Sequence, residues 1–208
     1  MTVFVVSIDG PDFSGKTTVA NLVTELLRGK VRGMVVKRTE LPSNLVTGTF
    51  THILRNSAER ISPAVFALLY AQDHLNHYEK FIKPLKESKE RFLVIQERSF
   101  LSTYIYQGVL GKLDFKWIDE INKFNKNIPD LTIILKIDLE EIMNRKRIDN
   151  REFDKFEAPN HLKKQFEIYY KIPSNLVKKF NIKYTDANKD AMSIAKDCTD
   201  MILKELKE

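Results

Sequence analysis

The stretch Gly10-Pro-Asp-Phe-Ser-Gly-Lys-Thr-Thr18 contains a complete G-x-x-x-x-G-K-T. It follows Val3-Phe4-Val5-Val6-Ser7-Ile8, a β-branched run suited to a buried strand, and runs into Val19 to Leu27, which reads as a helix. Strand, loop and helix in that order are the context the motif requires. Gly10 and Gly15 admit the backbone angles that turn successive N–H groups inward as an anion-binding nest, and a helix starting near Lys16 adds its positive end. Lys16 is placed to reach the β and γ phosphates, and Thr17 to offer a hydroxyl to Mg2+. Asp12, Phe13, Ser14 and Thr18 complete the ATP-binding loop. Read as an ordinary turn, the stretch leaves the Lys-Thr pair to chance. Read as a phosphate-binding loop, it makes the chain a binder of a nucleoside triphosphate.

The rest of the composition fits one α/β domain spanning residues 1–208, long enough for a proper core and too short for two comfortable ones. Apolar residues make up 43% and charged residues 30%, with no repeat and no low-complexity tract, which excludes a disordered chain. The net charge of +6 comes from Lys and Arg dispersed among 28 acidic residues, so a basic phosphate pocket accounts for it better than a nucleic-acid surface. Cys198 is the only cysteine, on a late amphipathic helix, and reads as a packing residue. No apolar run approaches the ~18 residues of a membrane span, and the first strand starts close to Met1. The expected location is therefore cytoplasmic, with no membrane partner.

Outward from the loop, Met34 to Lys37 reads as the second strand, and Arg38-Thr39-Glu40-Leu41-Pro42 leaves it. A weakly helical segment from about Asn44 to Arg55 follows, and Arg38 and Arg55 bracket it as candidate phosphate ligands. Ser62 and Pro63 cap a long helix to Ser88, with Val65, Phe66, Leu68, Leu69 and Leu75 at core spacing. Tyr70, His74 and His77 share one of its faces. A metal pair on that face has no Cys and no third ligand to support it, so the face is read as lining a cleft. Phe92 to Ile95 is the third strand and ends in Glu97 and Arg98, beyond a carboxyl edge where sites of open parallel sheets lie. Ser102 to Gly108 is polar and aromatic, Phe115 to Phe124 helical, and Leu131 to Leu135 the fourth strand. Asp138 to Arg147 is helical, and residues from about 145 to 158 are highly charged, by composition a solvated face, but in the place where phosphoryl-transfer enzymes of this architecture often carry a small mobile lid. A helix from Pro159 interrupted at Pro173, a fifth strand at Ile182 to Thr185 and a closing helix complete a three-layer sandwich. This fold class is a P-loop NTPase type, a five-stranded parallel sheet with helices on both faces.

With these stretches in hand the chain resembles the thymidylate kinase family over most of its length. Six segments in the family's order carry the resemblance: the Gly10 loop, Tyr70-Ala71-Gln72-Asp73-His74-Leu75-Asn76-His77, Glu97 to Gly108, Pro129 to Thr132, Asp154-Lys155-Phe156-Glu157, and Thr185-Asp186-Ala187. The resemblance implies transfer of the γ-phosphoryl of ATP to dTMP with Mg2+, and a homodimer. It implies that Asp12 meets the sugar hydroxyl and that Arg98 grips the acceptor phosphate. Tyr70 takes the place of the ring that stacks on thymine, and Tyr106 that of the tyrosine that favours deoxyribose. Ser102, Thr103 and Gln107 fall where the family lines the base pocket. Glu97 stands for the usual Asp and keeps a carboxylate for Mg2+ or its water. Phe13 has no charge for the transferring phosphate, so the role passes to Arg147 and Arg151, with Arg145 anchoring the lid's base.

The pattern departs from the family at His74, which replaces an arginine that hydrogen-bonds the thymine carbonyl, and this leaves the acceptor base open. Deoxynucleoside kinases share the fold, the loop and an E-R-S like Glu97-Arg98-Ser99, but act on a 5′ hydroxyl. A non-catalytic nucleotide-binding paralogue is the third reading. Asp12 and the Ser102-Thr103 and Tyr106-Gln107-Gly108 continuation favour the monophosphate kinase.

Overall fold

A computed structural model of the chain describes residues 2–149 and 157–207. Residues 150–156 of the expected lid, Arg151 among them, lie outside the described residues. Strands β1 (Val3–Asp9), β2 (Val35–Glu40), β3 (Phe92–Glu97), β4 (Leu131–Lys136) and β5 (Ile182–Asp186) form one parallel sheet in the order β2-β3-β1-β4-β5. The chain builds outward from β1 on one side and then returns to the other, so the strand order reverses at β1. A crevice opens beyond the carboxyl end of a strand at such a reversal, and the Gly10 loop occupies it.

The helices are α1 (Lys16–Arg28), α2 (Val46–Asn56), α3 (Pro63–His77), α4 (Lys83–Glu87), α5 (Leu101–Thr103), α6 (Phe115–Ile121), α7 (Leu139–Ile148), α8 (Pro159–Tyr170), α9 (Ser174–Lys179) and α10 (Ala191–Glu205). A wide π turn at Tyr78–Ile82 joins α3 to α4, and a second π stretch at Tyr104–Leu110 continues α5. The Ser62 hydroxyl accepts from the Val65 N–H at the start of α3, where Pro63 needs no donor. The Asp190 carboxylate caps α10 in the same way through the Ser193 N–H.

The central strands are apolar on both faces because helices cover both. On one face Val6 and Ile8 pack with Val19, Val23 and Leu27 of α1 and Ile194, Cys198 and Ile202 of α10. On the other, Ile134 and Ile182 pack with Phe100, Tyr104, Tyr169 and Phe180. A fully buried side chain of this kind contributes about 1.5–3 kcal/mol. The thiol of Cys198 is fully buried among these residues, as expected of a packing cysteine.

Two expectations differ from the structure. The second strand continues through Glu40, because Arg38, Thr39 and Glu40 pair in register with Ile95, Gln96 and Glu97 of β3; their polarity marks a site at the strand end rather than a loop. Val65 and Leu68, expected in the core, are about half exposed, at 46% and 50%. The buried side of α3 is instead Phe66, Ala67, Ala71, Asp73, His74 and His77. Among the described residues no helix is long and apolar enough to cross a membrane.

Candidate active site

The Gly10 loop is fixed by sterics at both glycines. A Cβ at Gly10 would sit 2.8 Å from the Ser14 hydroxyl and 3.0 Å from the Leu135 carbonyl, and Gly15 is left-handed at φ 86°. The first N–H groups of α1 have no intrahelical acceptor and point out of the helix start. Lys16 is buried against the loop: its Nζ donates to the Pro11 carbonyl at 2.7 Å and lies 3.7 Å from Asp12 Oδ1. Burial and the nearby Arg98 push the Lys16 ammonium down to about 8, with Asp12 and Asp9 opposing. Phe13 adopts φ 65°, a strained conformation for a side-chain-bearing residue, and packs against the core rather than the loop's mouth.

Beside the loop, Arg98 joins two buried carboxylates. Its Nη2 donates to Asp12 Oδ1 at 2.6 Å, and Nη1 lies 3.6 Å from Asp9 Oδ1. Burial opposes ionisation of Asp12, yet Arg98, Lys16 and Arg55 outweigh it and hold this carboxyl well below the usual range. Arg98 also has a left-handed backbone, at φ 62°. Its N–H donates to the Ile8 carbonyl at 2.9 Å, and its carbonyl accepts from Gln96 Nε2 at 2.7 Å. Asn127 Nδ2 holds Gln96 Oε1 at 2.7 Å, so a buried amide pair supports the strained turn. Among the described residues Nη1 of Arg98 is buried with no hydrogen-bond partner beyond its ion-pair approach to Asp9.

Helix α8 reaches the same carboxylates. Gln165 donates to Asp12 Oδ2 at 3.0 Å and accepts from the Asp12 N–H at 2.9 Å. One turn later Tyr169 donates to Asp9 Oδ1 at 2.8 Å. Tyr106 donates to Gln165 Oε1 at 3.2 Å. Ser102 gives its hydroxyl hydrogen to Asp9 Oδ2 at 2.8 Å.

Thr17 and Glu97 meet at the other edge of the loop, where Thr17 Oγ1 donates to Glu97 Oε1 at 2.9 Å. Arg38 donates to Glu97 Oε2 at 2.8 Å and to Asn21 Oδ1 at 3.0 Å, which fixes the carboxylate's second oxygen. A hydroxyl and a carboxylate oxygen side by side, beside a phosphate-binding loop, are the hard oxygen donors that suit Mg2+.

A cavity of about 310 Å3 opens on Arg98. Its wall includes Tyr70, His74, Arg98, Ser102, Thr103, Tyr106 and Gln107, seven of the residues singled out from the sequence as acceptor contacts. Asp12 lies behind Arg98. Arg55 also lines the cavity, 4.0 Å from Asp12 Oδ2, whereas Arg38 sits at Glu97. The two arginines that bracket α2 are thus divided between the two halves of the site. A pocket of this size falls in the range of small-molecule sites.

The three α3 residues expected on one cleft face separate. Tyr70 and His74 line the cavity, with ring centroids 6.4 Å apart. His77 is buried away from it, its Nε2 2.7 Å from Thr39 Oγ1 and its ring stacked on Phe81. Burial pushes both imidazoles down to about 4, so both are neutral at physiological pH. Asp73, between them, accepts from the Ser43 N–H at 2.7 Å and from the Thr47 hydroxyl at 2.7 Å, tying α2 to α3.

A second cavity, of about 510 Å3, lies on the far side of the loop and is lined by Ser14, Gly15, Thr18, Arg145 and Asn188 among others. Arg145, expected at the base of a lid, donates from Nη2 to the Ala187 carbonyl at 2.8 Å and from Nε to Glu141 at 2.8 Å, forming a wall of this cavity. Arg147 is exposed on α7. Asp9, Gln165, Tyr169 and Asn188 were not found from the sequence. Asp9 had a local signal, as the residue before Gly10, and so had Asn188, as the residue after Thr185-Asp186-Ala187; Gln165 and Tyr169 had none.

The strand, loop and helix at Gly10, set at the reversal of an all-parallel sheet between two cavities, define a nucleotide-binding P-loop protein. The family model described as thymidylate kinase matches residues 8–196. Curated relatives include a probable thymidylate kinase 1 of Saccharolobus solfataricus, 32% identical over 201 residues and covering 97% of both chains. A probable thymidylate kinase of Pyrobaculum calidifontis is 34% identical over 201 residues, covering 95% of this chain and 94% of that one. A crystal structure of thymidylate kinase from Ehrlichia chaffeensis superposes with a TM-score of 0.71 at 21% identity, covering 98% of this chain and 99% of that one, a likeness of fold. The chain belongs to the thymidylate kinase family.

Proposed function

We propose that the chain transfers the γ-phosphoryl of ATP to the 5′ phosphate of dTMP, giving dTDP. The single observation that carries this reading is the placement of Arg98, which forms part of the cavity's wall while paired to the loop carboxylate Asp12. An acceptor seated in that cavity has its phosphate against the guanidinium, facing the loop that holds the donor.

An acceptor phosphate is already an oxyanion, so positioning and charge neutralisation carry the catalysis and no strong general base is needed. Arg98 and Arg55 bind the acceptor phosphate from the cavity wall. Lys16 and the loop N–H groups hold the β and γ phosphates, with Gly10, Phe13, Ser14, Gly15 and Thr18 shaping the loop and the second cavity taking the rest of ATP. Tyr70 stacks on the base, Tyr106 crowds the sugar's 2′ position, and Ser102, Thr103 and Gln107 complete the pocket. Thr17 and Glu97 would hold Mg2+, which would supply positive charge to offset that of the phosphates. Arg147 and Arg151 supply cationic charge to the transferring group in place of Phe13. Cytoplasmic location follows from the same reading.

The homodimer implied by the family finds support in α2 and α3, which pack side by side. Val46, Phe50 and Ile53 lie on one exposed stripe of α2, and Val65 and Leu68 of α3 are exposed as well. Light scattering on the purified chain tests the dimer.

The activity is tested by ADP release with ATP and Mg2+ over dTMP, dUMP, dCMP, dGMP, UMP and thymidine. The reading requires dTMP to be preferred. Activity on thymidine but not dTMP would assign the chain to the nucleoside kinases.

A further inference from the structure

The orientation of one buried amide decides what His74 offers to a base in the cavity. Asn122 Nδ2 donates to the Ile118 carbonyl at 2.9 Å. A carbonyl can only accept, so the amide cannot be turned the other way, and Asn122 Oδ1 is the atom that faces His74 Nδ1 at 3.3 Å. That oxygen is an acceptor, so Nδ1 carries the proton. A neutral imidazole has one N–H only, and the nitrogen that remains, Nε2, therefore holds a lone pair. Nε2 has no hydrogen-bond partner among the described residues and is not among the buried polar atoms, while His74 itself forms part of the cavity wall beside Tyr70.

We infer that His74 is a fixed hydrogen-bond acceptor that reads the N3–H of a pyrimidine base, held in that state by Asn122 as a positioning residue. This rests on the cavity taking the acceptor nucleotide, as argued above.

The chemistry follows from the base edges. Thymine and uracil present one donor on that edge, N3–H, between two carbonyl oxygens. A lone pair at Nε2 suits the donor and repels either carbonyl, so this ring cannot take over the task of a residue that donates to a thymine carbonyl. Cytosine places a lone pair at N3 and meets Nε2 with like polarity. Burial keeps the imidazole neutral, so protonation does not turn Nε2 into a donor at physiological pH. The Thr103 hydroxyl and the Gln107 amide, in the same wall, are groups able to donate to a carbonyl. A site built around a polar group of the ligand discriminates strongly against the analogue that lacks it, because its own buried group then goes unpaired.

Isotope-edited NMR of the ring nitrogens in the intact enzyme reads the tautomer directly, without any substrate. The Nδ1–H form is expected at His74 in the wild type, and Asn122→Leu should release it to a mixture. An Nε2–H form in the wild type overturns the inference whatever the acceptor is. Calorimetry with dTMP and its N3-methyl derivative then tests the contact. Wild type should bind the methylated nucleotide at least ~10-fold more weakly, and the penalty should fall below ~3-fold in His74→Ala, where both the acceptor and its bulk are gone. An equal penalty in wild type and variant, or none in wild type, overturns the role of His74 alone. Failure of the wild type to bind dTMP at all overturns both this inference and the thymidylate reading.

Discussion

Gln165 grips Asp12 at two points, accepting from its backbone N–H at 2.9 Å and donating to its Oδ2 at 3.0 Å. The helix that follows the charged segment is thereby fastened to the phosphate-binding loop, and Tyr106 is fastened to both through Gln165 Oε1. Replacing Gln165 by Leu leaves a buried N–H and a carboxylate oxygen short of a partner, which costs about 1–3 kcal/mol. Because Asp12 and Tyr106 both border the acceptor, KM for dTMP should rise about tenfold with a smaller change in KM for ATP. Equal effects on both substrates, or none, would contradict the coupling.

Arg98→Lys keeps the charge and loses the fork that spans Asp12, Asp9 and the cavity. A single ammonium cannot serve two carboxylates and a phosphate together. The expected result in steady-state kinetics is a fall in kcat/KM for dTMP of about 100-fold or more, with ATP binding nearly intact. A fall below about threefold would remove Arg98 from the acceptor site.

Glu97→Gln retains the shape beside Thr17 but removes the negative charge, and it leaves Arg38 with only the more distant Glu40 as counter-ion. The Mg2+ concentration giving half-maximal ADP release should rise about tenfold. An unchanged Mg2+ requirement would place the metal elsewhere.

Stability should fall as the pH is lowered from about 6.5 toward 4. Burial holds His74 and His77 down to about 4, against the ordinary 6.5. Between those values the unfolded chain binds more protons than the folded one, so the stability these neutral rings provide is complete above 6.5 and is lost as pH drops through the window. The loss is at most roughly 3 kcal/mol per ring. Urea unfolding at about pH 7 and about pH 4.5 measures it, and equal midpoints would contradict the burial of two neutral imidazoles.

The sheet, the loop and most of the cavity wall were legible because each rests on local pattern. β-branched runs mark the strands, and the helical spacing of Tyr70 and His74 puts both on one face. The short span from Arg98 to Gln107 carries most of the rest of the wall. What escaped was held together by long-range contact. Gln165 and Tyr169 reach Asp12 and Asp9 across 153 and 160 residues. Asn122 stands 48 residues from the histidine it orients. His77 was misplaced because helical phase alone puts it with Tyr70, whereas it lies about two turns further along α3 and packs against Thr39 and Phe81 instead of the cavity. The polar end of β2 was read as loop because its residues serve the site instead of the core.

The most direct test of the account is to follow the label from γ-radiolabelled ATP in a single turnover with excess enzyme, Mg2+ and dTMP. The account predicts that the label appears in the β phosphate of dTDP. Label found only in inorganic phosphate, or transferred to thymidine but never to dTMP, would contradict it.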